Sequence, residues 1–219
     1  MEGINLSSYT LASNLLRSSA RDMYGRFVGH VVGISRDAMG DVTAIQVDHG
    51  GGRLAECPMT QVSINKNFVV LIPKWKVENK VIQKEWTLTQ KKIFALDDLL
   101  KSGKLSQVVY ESLWKKEFEP VIKKLKKKHE ALLNDLKNRH DELKFQIGKL
   151  ENSIGNIELE RMVGEMNDQT YKTAHNSIKS LLESAMSEKN DIEAALEQLD
   201  KIDRACHQVI IAPTRNNGI

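Results

Sequence analysis

The side chains that most often carry chemistry are few in this chain, and their spacing matches no catalytic or metal-binding pattern. Six histidines and two cysteines occur in 219 residues. The histidines lack zinc-ligand spacing, and Cys206-His207 has no third or fourth ligand nearby. Cys57 and Cys206 are too few and too far apart for a disulfide framework, so buried reduced thiols are expected. Gly50-Gly51-Gly52 is not followed by the Gly-Lys-Ser/Thr of a phosphate loop and is predicted to be a turn. We therefore expect neither an enzyme nor a cofactor.

The strongest charged feature is a run of lysines in a segment predicted to be helical. It comprises Lys115, Lys116, Lys123, Lys124, Lys126, Lys127 and Lys128. These side chains could contact an anionic membrane surface, at ~1 kcal/mol per residue. They could also contact nucleic-acid phosphates without regard to sequence. A third interpretation is a solvated helix face that an acidic neighbouring helix partly neutralises. All three interpretations stay open at this point.

A heptad pattern follows this run and predicts a long helix with one apolar seam. Its positions alternate steps of three and four residues: Leu133, Leu136, His140, Leu143, Ile147, Leu150, Ile154 and Ile157. His129 falls on the same seam. Polar residues on a seam more often set the register of a coiled coil than bind a ligand, so His129 and His140 are expected to set register.

A second heptad pattern lies further along the chain. It comprises Tyr171, Ala174, Ile178, Leu181, Ala185, Glu188, Ile192, Ala195, Leu199, Ile202 and Cys206. An amphipathic helix is held mainly by the packing of its apolar face, so neither seam should remain alone in water. A turn near 164–168 makes the two helices antiparallel neighbours within one chain. The predicted pairing places Lys126, Lys127 and Lys128 near Asp200 and Asp203, and Lys137 and Arg139 opposite Asp191 and Glu193.

The segment before the lysine run is predicted to contain shorter helices. From Trp75 the apolar period becomes helical, and a turn near 102–105 contains Gly103, a common residue just past a helix end. Ser106 is expected to cap the next helix. Pro120 should kink or restart that helix, because proline lacks a backbone donor and clashes with the preceding turn.

Residues 21–74 have a different character, with short Val- and Ile-rich runs separated by turn residues. This spacing predicts several short strands and a small β-barrel. Residues 1–20 are expected to form a flexible segment, with a short helix or a leading strand as alternatives. With 41% hydrophobic, 5% aromatic and 28% charged residues, the composition fits a long exposed helix better than a compact enzyme. No signal peptide or membrane span is predicted, so the protein is expected to be intracellular.

The strand region resembles the PRC-barrel family. The resemblance lies in a D-x-x-G-x-x-V-G-x-V segment followed by D-x-x-G-x-V-x-x-I-x-V. The residues that match are Asp22, Gly25, Val28, Gly29, Val31, Asp37, Gly40, Val42, Ile45 and Val47. Residues 69–73 resemble the closing strand of that domain. These positions are turns and core residues, so the resemblance concerns the fold and implies little about chemistry.

The order of parts along nearly the whole chain resembles the CdvA family of archaeal cell-division proteins. The parts are a PRC-like barrel, a long helical hairpin and an apolar tail, and residues 105–113 resemble the family's helix-start pattern. The resemblance implies an α+β scaffold that self-assembles at the division site, peripheral to the inner face of the cell membrane. It also implies recruitment of an ESCRT-III-like protein, CdvB, through the C-terminal segment.

The expected organisation is therefore a flexible segment 1–20, a barrel 21–74, a helical region 75–206 and a partner-binding tail 207–219. The tail is β-prone, and its proposed contact residues are Val209, Ile210, Ile211, Pro213 and Arg215. An extended tail could add a strand to a partner's open sheet edge. A rival hypothesis is a chromosome- or RNA-associated structural protein whose lysines bind phosphates. A third is a peripheral adaptor of an energy-converting membrane complex.

Overall fold

The computed structural model describes residues 15–65 and 68–211 and has an α+β fold. The chain divides into two compact units. The sheet unit contains Met1–Val77 and Phe145–Glu188, and the helical unit contains Glu78–Lys144 and Lys189–Ile219.

Six strands form one mixed sheet in the sheet unit. They are β1 (Ser19–Asp22), β2 (Phe27–Arg36), β3 (Val42–Asp48), β4 (Leu54–Pro58), β5 (Val62–Ile64) and β6 (Phe68–Leu71). The strand order is β4-β3-β2-β1-β6-β5. The β1–β6 pair is parallel, and the other four pairs are antiparallel.

The region predicted as a small β-barrel forms an open sheet, in which β4 and β5 are the edge strands. A short 3₁₀ helix, Met59–Gln61, connects these two edges. Pro58 at the end of β4 has no N–H to give to a ladder, and β5 has only three residues. Short edges and an edge proline are common ways of ending strand pairing.

The sheet nevertheless surrounds a single apolar core. Its buried members are Leu15, Ala20, Val31, Ile45, Val47 and Val69. Five of them come from β1, β2, β3 and β6, which follows from the two-residue alternation of strand side chains, and Leu15 lies four residues before β1. Strand β1 begins at Ser19, two residues before the boundary predicted at residue 21.

The two D-x-x-G segments of the PRC-like pattern form turns with the same geometry. In the first, the Asp22 carboxylate accepts the N–H groups of Tyr24 and Arg26 at 2.9 and 3.0 Å. In the second, the Asp37 carboxylate accepts those of Met39 and Asp41 at 2.9 and 3.0 Å. The glycine in each turn has φ near +87°, at +86° and +88°. Only glycine adopts that conformation without a steric cost, which explains the repeated motif.

Four α-helices follow the sheet in the sequence. They are α1 (Lys74–Lys101), α2 (Gln107–Leu113), α3 (Glu119–Met162) and α4 (Asp168–Ile211). The predicted turns near 102–105 and 164–168 are confirmed, with Gly103 and Gly164 at positive φ. Ser106 caps α2, because its hydroxyl accepts the Val109 N–H at 3.4 Å.

The expected kink at Pro120 takes the form of one π-helical turn, Trp114–Phe118, between α2 and α3. The Glu119 N–H donates to the Trp114 carbonyl five residues earlier. Pro120 has no N–H to donate, and a wider turn accommodates that missing bond. Tyr110, Trp114 and Phe118 stack along this segment, with ring centroids 6.3 and 5.9 Å apart.

The predicted hairpin is confirmed in both units. In the helical unit, the seam residues Leu136, Leu143, Ile192 and Leu199 are fully buried. In the sheet unit, Tyr171 on α4 donates its hydroxyl proton to the Glu158 carboxylate on α3. The Asn167 carboxamide caps α4 by accepting the Thr170 N–H at 2.9 Å.

Helix α4 extends to Ile211 and so includes the first residues of the segment predicted to be β-prone, 207–219. A β-branched run can join an existing helix, since propagation costs less than nucleation. Residues 212–219 lie outside the described part of the chain.

One glycine of β2 offers a direct test of the sheet. A Cβ added to Gly29 would lie 2.0 Å from the Asp48 carbonyl oxygen on β3. We expect Gly29→Ala to lower the free energy of unfolding by about 3 kcal/mol, because backbone has to move. Gly40→Ala is the control, since it meets open space and should cost only ~1–2 kcal/mol for its positive φ. Equal losses in urea unfolding would show that the close approach is absent.

Candidate interaction surfaces of the sheet and the hairpin

A partly buried ion-pair network joins the sheet to α4 within the sheet unit. The Arg26 guanidinium donates to the Glu188 carboxylate on α4 and to the Asp22 carboxylate, the latter at 2.5 Å. Only 6% of the Glu188 side chain and 21% of the Arg26 side chain are exposed. The Ser184 hydroxyl lies 2.9 Å from the Tyr24 carbonyl in the same region.

The electrostatics of Arg26 favour its charged form. Burial works against the charge, but hydrogen bonds to Glu188 and Asp22 outweigh it and raise the pKa of Arg26 above its ordinary value. Buried charges persist in proteins when they are paired and hydrogen-bonded. The network therefore explains why the otherwise apolar seam of α4 contains Glu188, which its heptad position alone could not reveal.

The Arg26–Glu188 pair can be tested with a double-mutant cycle. We expect Glu188→Leu to lower stability by about 2–3 kcal/mol, because it leaves the Arg26 charge half-buried without its partner. The double variant Arg26→Met/Glu188→Leu should lose less than the sum of the single losses, with a coupling of about 1–2 kcal/mol. Additive losses in chemical denaturation would contradict the pairing.

A matched surface pair provides the control for that cycle. Lys179 and Glu183 on α4 are 59% and 67% exposed and lie 4.0 Å apart. Exposed pairs contribute little, so Lys179→Met should change stability by less than ~0.5 kcal/mol.

Both histidines of the first seam contact α4 in the helical unit. His129 is buried, and its Nε2 lies 2.9 Å from the Leu199 carbonyl, to which it donates. His140 Nε2 lies 2.9 Å from the Glu193 carboxylate. Across the described residues, no group of three or more His, Cys, Asp or Glu side chains is placed to hold a metal ion. The contacts fix where α3 lies along α4.

Glu193 lies at the centre of a small charge cluster on the hairpin. The hydrogen bond from His140 and that from Lys189, at 2.9 Å each, lower the pKa of Glu193 below its ordinary 4.5. The cluster contributes stability that is complete above pH ~5 and is lost as the pH falls through the folded-state pKa.

That pH dependence gives a prediction for Glu193→Gln. The variant should be less stable than the original chain above pH ~5, and the difference should vanish in more acidic solution, where both side chains are neutral. Thermal unfolding across pH 2–8 measures it. A difference that persists unchanged at pH 2 would mean that the carboxylate charge is not its cause.

The lysine run lies on the π-helical turn and the first turns of α3. Lys115, Lys116, Lys123, Lys124 and Lys127 are exposed, whereas Lys126 and Lys128 are half-buried. Lys128 donates to both carboxylate oxygens of Glu85 on α1, at 3.0 and 2.8 Å.

The acidic helix expected to neutralise the run contacts it only in part. Lys126 and Asp203 line the same cavity, as the pairing predicted. The Lys128 partner Glu85 on α1 was not foreseen, because no seam pattern joins α1 to α3.

A second basic stripe lies on α1 and was also missed. Lys80, Lys84 and Lys91 line one shallow surface with Thr87. The steps from Lys80 to Lys84, Thr87 and Lys91 are four, three and four residues, which places all four side chains on one helix face. Counting lysines at helical intervals would have found this stripe. It was missed because the lysines at 115–128 are closer together in the sequence and therefore more conspicuous. The helical unit thus carries exposed cationic side chains on both α1 and α3.

The cavity shared by Lys126 and Asp203 has a volume of about 310 Å³. Its apolar wall comes from Trp86 on α1, Leu125 on α3 and Ile202 on α4. The three helices meet here as a small core, and His129 forms part of its lining.

The proposed partner-binding residues lie at the end of the described chain. Val209, Ile210 and Ile211 are the last three residues of α4, while Pro213 and Arg215 lie outside the described residues.

Cys57 packs against the sheet core, and burial raises the pKa of its thiol. In the described part of the chain, no helix combines the length and apolar content needed to cross a membrane.

These features define a class of protein: a coiled-coil hairpin protein with a small β-sheet unit and charged exposed helix faces. A family model for the CdvA-like coiled-coil domain matches residues 74–217. Cell division protein A of Sulfolobus acidocaldarius is 22% identical over 192 residues, which cover 88% of this chain and 80% of that protein. The chain belongs to the CdvA family of cell division proteins.

Proposed function

We propose that this chain is a non-enzymatic scaffold of archaeal cell division. It self-assembles at the division site and recruits an ESCRT-III-like protein, CdvB, through its C-terminal segment 207–219. Membership of the CdvA family is the observation that carries the proposal, because the matched region extends through the helices and most of that segment. The long hairpin supports it, since paired helices of 44 residues each present extended surfaces.

The exposed lysines support a peripheral position on the inner face of the cell membrane. Lys115, Lys116, Lys123, Lys124 and Lys127 extend into solvent from α3 and the turn before it. Each lysine near an anionic surface contributes ~1 kcal/mol, so five suffice for reversible attachment without a membrane-spanning helix. Lys128 is not part of this set, because it pairs with Glu85.

Recruitment is tested by deletion of residues 207–219 from the full chain. The deletion should abolish binding to purified CdvB while helix content and self-association persist. The point variant Ile211→Asp should do the same, and Val108→Asp on α2 is its control, because Val108 is a 77% exposed apolar residue far along the sequence from the segment. Binding that survives the deletion would place the recruitment site within residues 1–206.

The binding mode of the segment can be read from three single substitutions. On an extended strand Val209 and Ile211 share one side, and Ile210 lies on the other. On a helix Val209 and Ile211 point about 200° apart. A strand therefore predicts that Val209→Asp and Ile211→Asp both abolish binding and Ile210→Asp does not. Loss with only one of the first two variants would favour a helical mode.

Nucleic-acid binding is the second candidate, favoured by the basic stripe on α1 together with the lysines of α3. It predicts affinity for double-stranded DNA of any sequence that falls steeply as salt rises. Replacement of Lys80, Lys84 and Lys91 by Gln should then reduce the slope of log affinity against log salt by up to about three. Unchanged binding of anionic vesicles in the same variant would separate the two surfaces.

A further inference from the structure

We infer that copies of this chain pair antiparallel through a second heptad seam on the outer face of α3. This inference rests on the proposed scaffold function and names a surface for its self-assembly. The outer seam comprises Phe145, Gly148, Asn152, Gly155, Leu159 and Met162. Its steps alternate between three and four residues, which is the pattern of a helix that packs on another helix.

The outer seam points away from the seam that faces α4. At 100° per residue, the two seams of α3 lie roughly 150° apart around the helix axis. Phe145, Leu159 and Met162 are 67%, 62% and 82% exposed. Single exposed apolar side chains are ordinary on protein surfaces. Three at heptad spacing form an apolar face that lacks a neighbouring helix in the described chain.

No contact within the described residues requires glycine at the two glycine positions of the outer seam. Glycine weakens a helix interior relative to alanine. A Cβ added to Gly148 or Gly155 would meet no atom within 4 Å. Nothing in the described chain therefore requires the missing side chain, whereas a second helix packed closely on this face would.

The sizes of the outer-seam residues are self-complementary in the antiparallel orientation. The regular register places Gly148 opposite Leu159 of the second copy, so a large side chain fills the space beside a glycine. It also places Phe145 opposite Met162, a favourable sulfur–aromatic contact. Asn152 then faces Gly155. A parallel register instead places each glycine opposite its own counterpart and leaves voids.

The flanking charges also favour the antiparallel orientation. The antiparallel register separates Lys144 of one copy from Lys149 of the other along the helix axis. A parallel pair would instead bring Lys144 beside Lys149, and like charges on a coiled-coil flank select against that partner orientation. Glu151 and Glu158 approach each other near the middle of the antiparallel pair, which keeps the contact weak.

The area of the contact agrees with a weak, reversible pair. A fully buried aromatic side chain removes ~150–250 Å² from water, so the exposed part of Phe145 offers on the order of 100 Å². Three such side chains per copy supply a few hundred Å², below the ~800 Å² per partner of a standard stable interface. The partner that binds the outer seam is a second copy of this chain, because the seam is complementary to itself across a two-fold axis.

Cysteine crosslinking between two labelled chains tests the antiparallel register. Full-length chains with Cys57→Ser and Cys206→Ser carry either Gly148→Cys or Leu159→Cys. We expect a disulfide dimer when the two chains are mixed and little when either is oxidised alone, because like positions lie about 16 Å apart in this register. A Val108→Cys chain mixed with the Gly148→Cys chain is the control for random collision.

Two outcomes of crosslinking would overturn the inference. Efficient dimers of a single variant alone would show a parallel pair. No dimer in the mixture beyond the Val108→Cys control would show that copies do not meet through this face.

Sedimentation of the full chain separates this surface from self-assembly in general. Leu159→Glu should weaken association at least tenfold, and Val108→Glu should leave it unchanged. Gly148→Leu should weaken it as well, and Gly148→Leu/Leu159→Ala should restore part of the loss by exchanging large and small residues. If Leu159→Glu associates normally, the surface is wrong while the scaffold proposal stands. If the original chain stays monomeric at every accessible concentration, self-assembly itself fails.

Discussion

The structure depends on the need to bury the apolar seams of two long helices. A two-helix hairpin shelters only the residues that lie between the helices, and it is too thin to bury a wide apolar face. Leu136, Leu143, Ile192 and Leu199 are fully buried in the helical unit. The later seam residues of α3, Ile147, Leu150, Ile154 and Ile157, are only half-buried.

Each unit adds a third element to its part of the hairpin in a different way. In the helical unit α1 contributes Trp86 to a small core with Leu125, and Glu85 neutralises Lys128. In the sheet unit the contact is polar, since Arg26 reaches the buried Glu188 on α4. An apolar contact holds helices with little orientational preference, whereas a hydrogen-bonded ion pair specifies one arrangement.

The helices were predictable because their signals are local and periodic. Heptad spacing identified α3 and α4, and Gly103, Ser106 and Gly164 marked their neighbouring turns, as the structure confirms. The open sheet was not predictable, since strand closure depends on contacts between distant segments. The Arg26–Glu188 pair joins residues 162 positions apart, so no local pattern signals it. The helical end of α4 was missed because β-branched composition was weighed above the continuing helix.

Under the proposed scaffold function, three kinds of contact are separated along one chain. The hairpin seam is internal, the cationic faces of α1 and α3 are exposed, and the outer seam of α3 is the surface proposed for pairing with another copy. Weak contacts of this kind permit reversible assembly, because each contributes little alone and many add along a polymer. The charged faces can then engage an anionic surface without competing with the apolar seams.

The fold requires that the two heptad seams pair within one chain. Spin labels at Lys137 on α3 and Asp191 on α4, in a sample diluted with unlabelled chain, measure that pairing directly by pulsed electron resonance. Paired helices lie ~8–10 Å apart, so a short distance, on the order of 20 Å between the labels, is predicted. A distance near 80 Å, the length of 54 residues in one continuous helix, would contradict the hairpin.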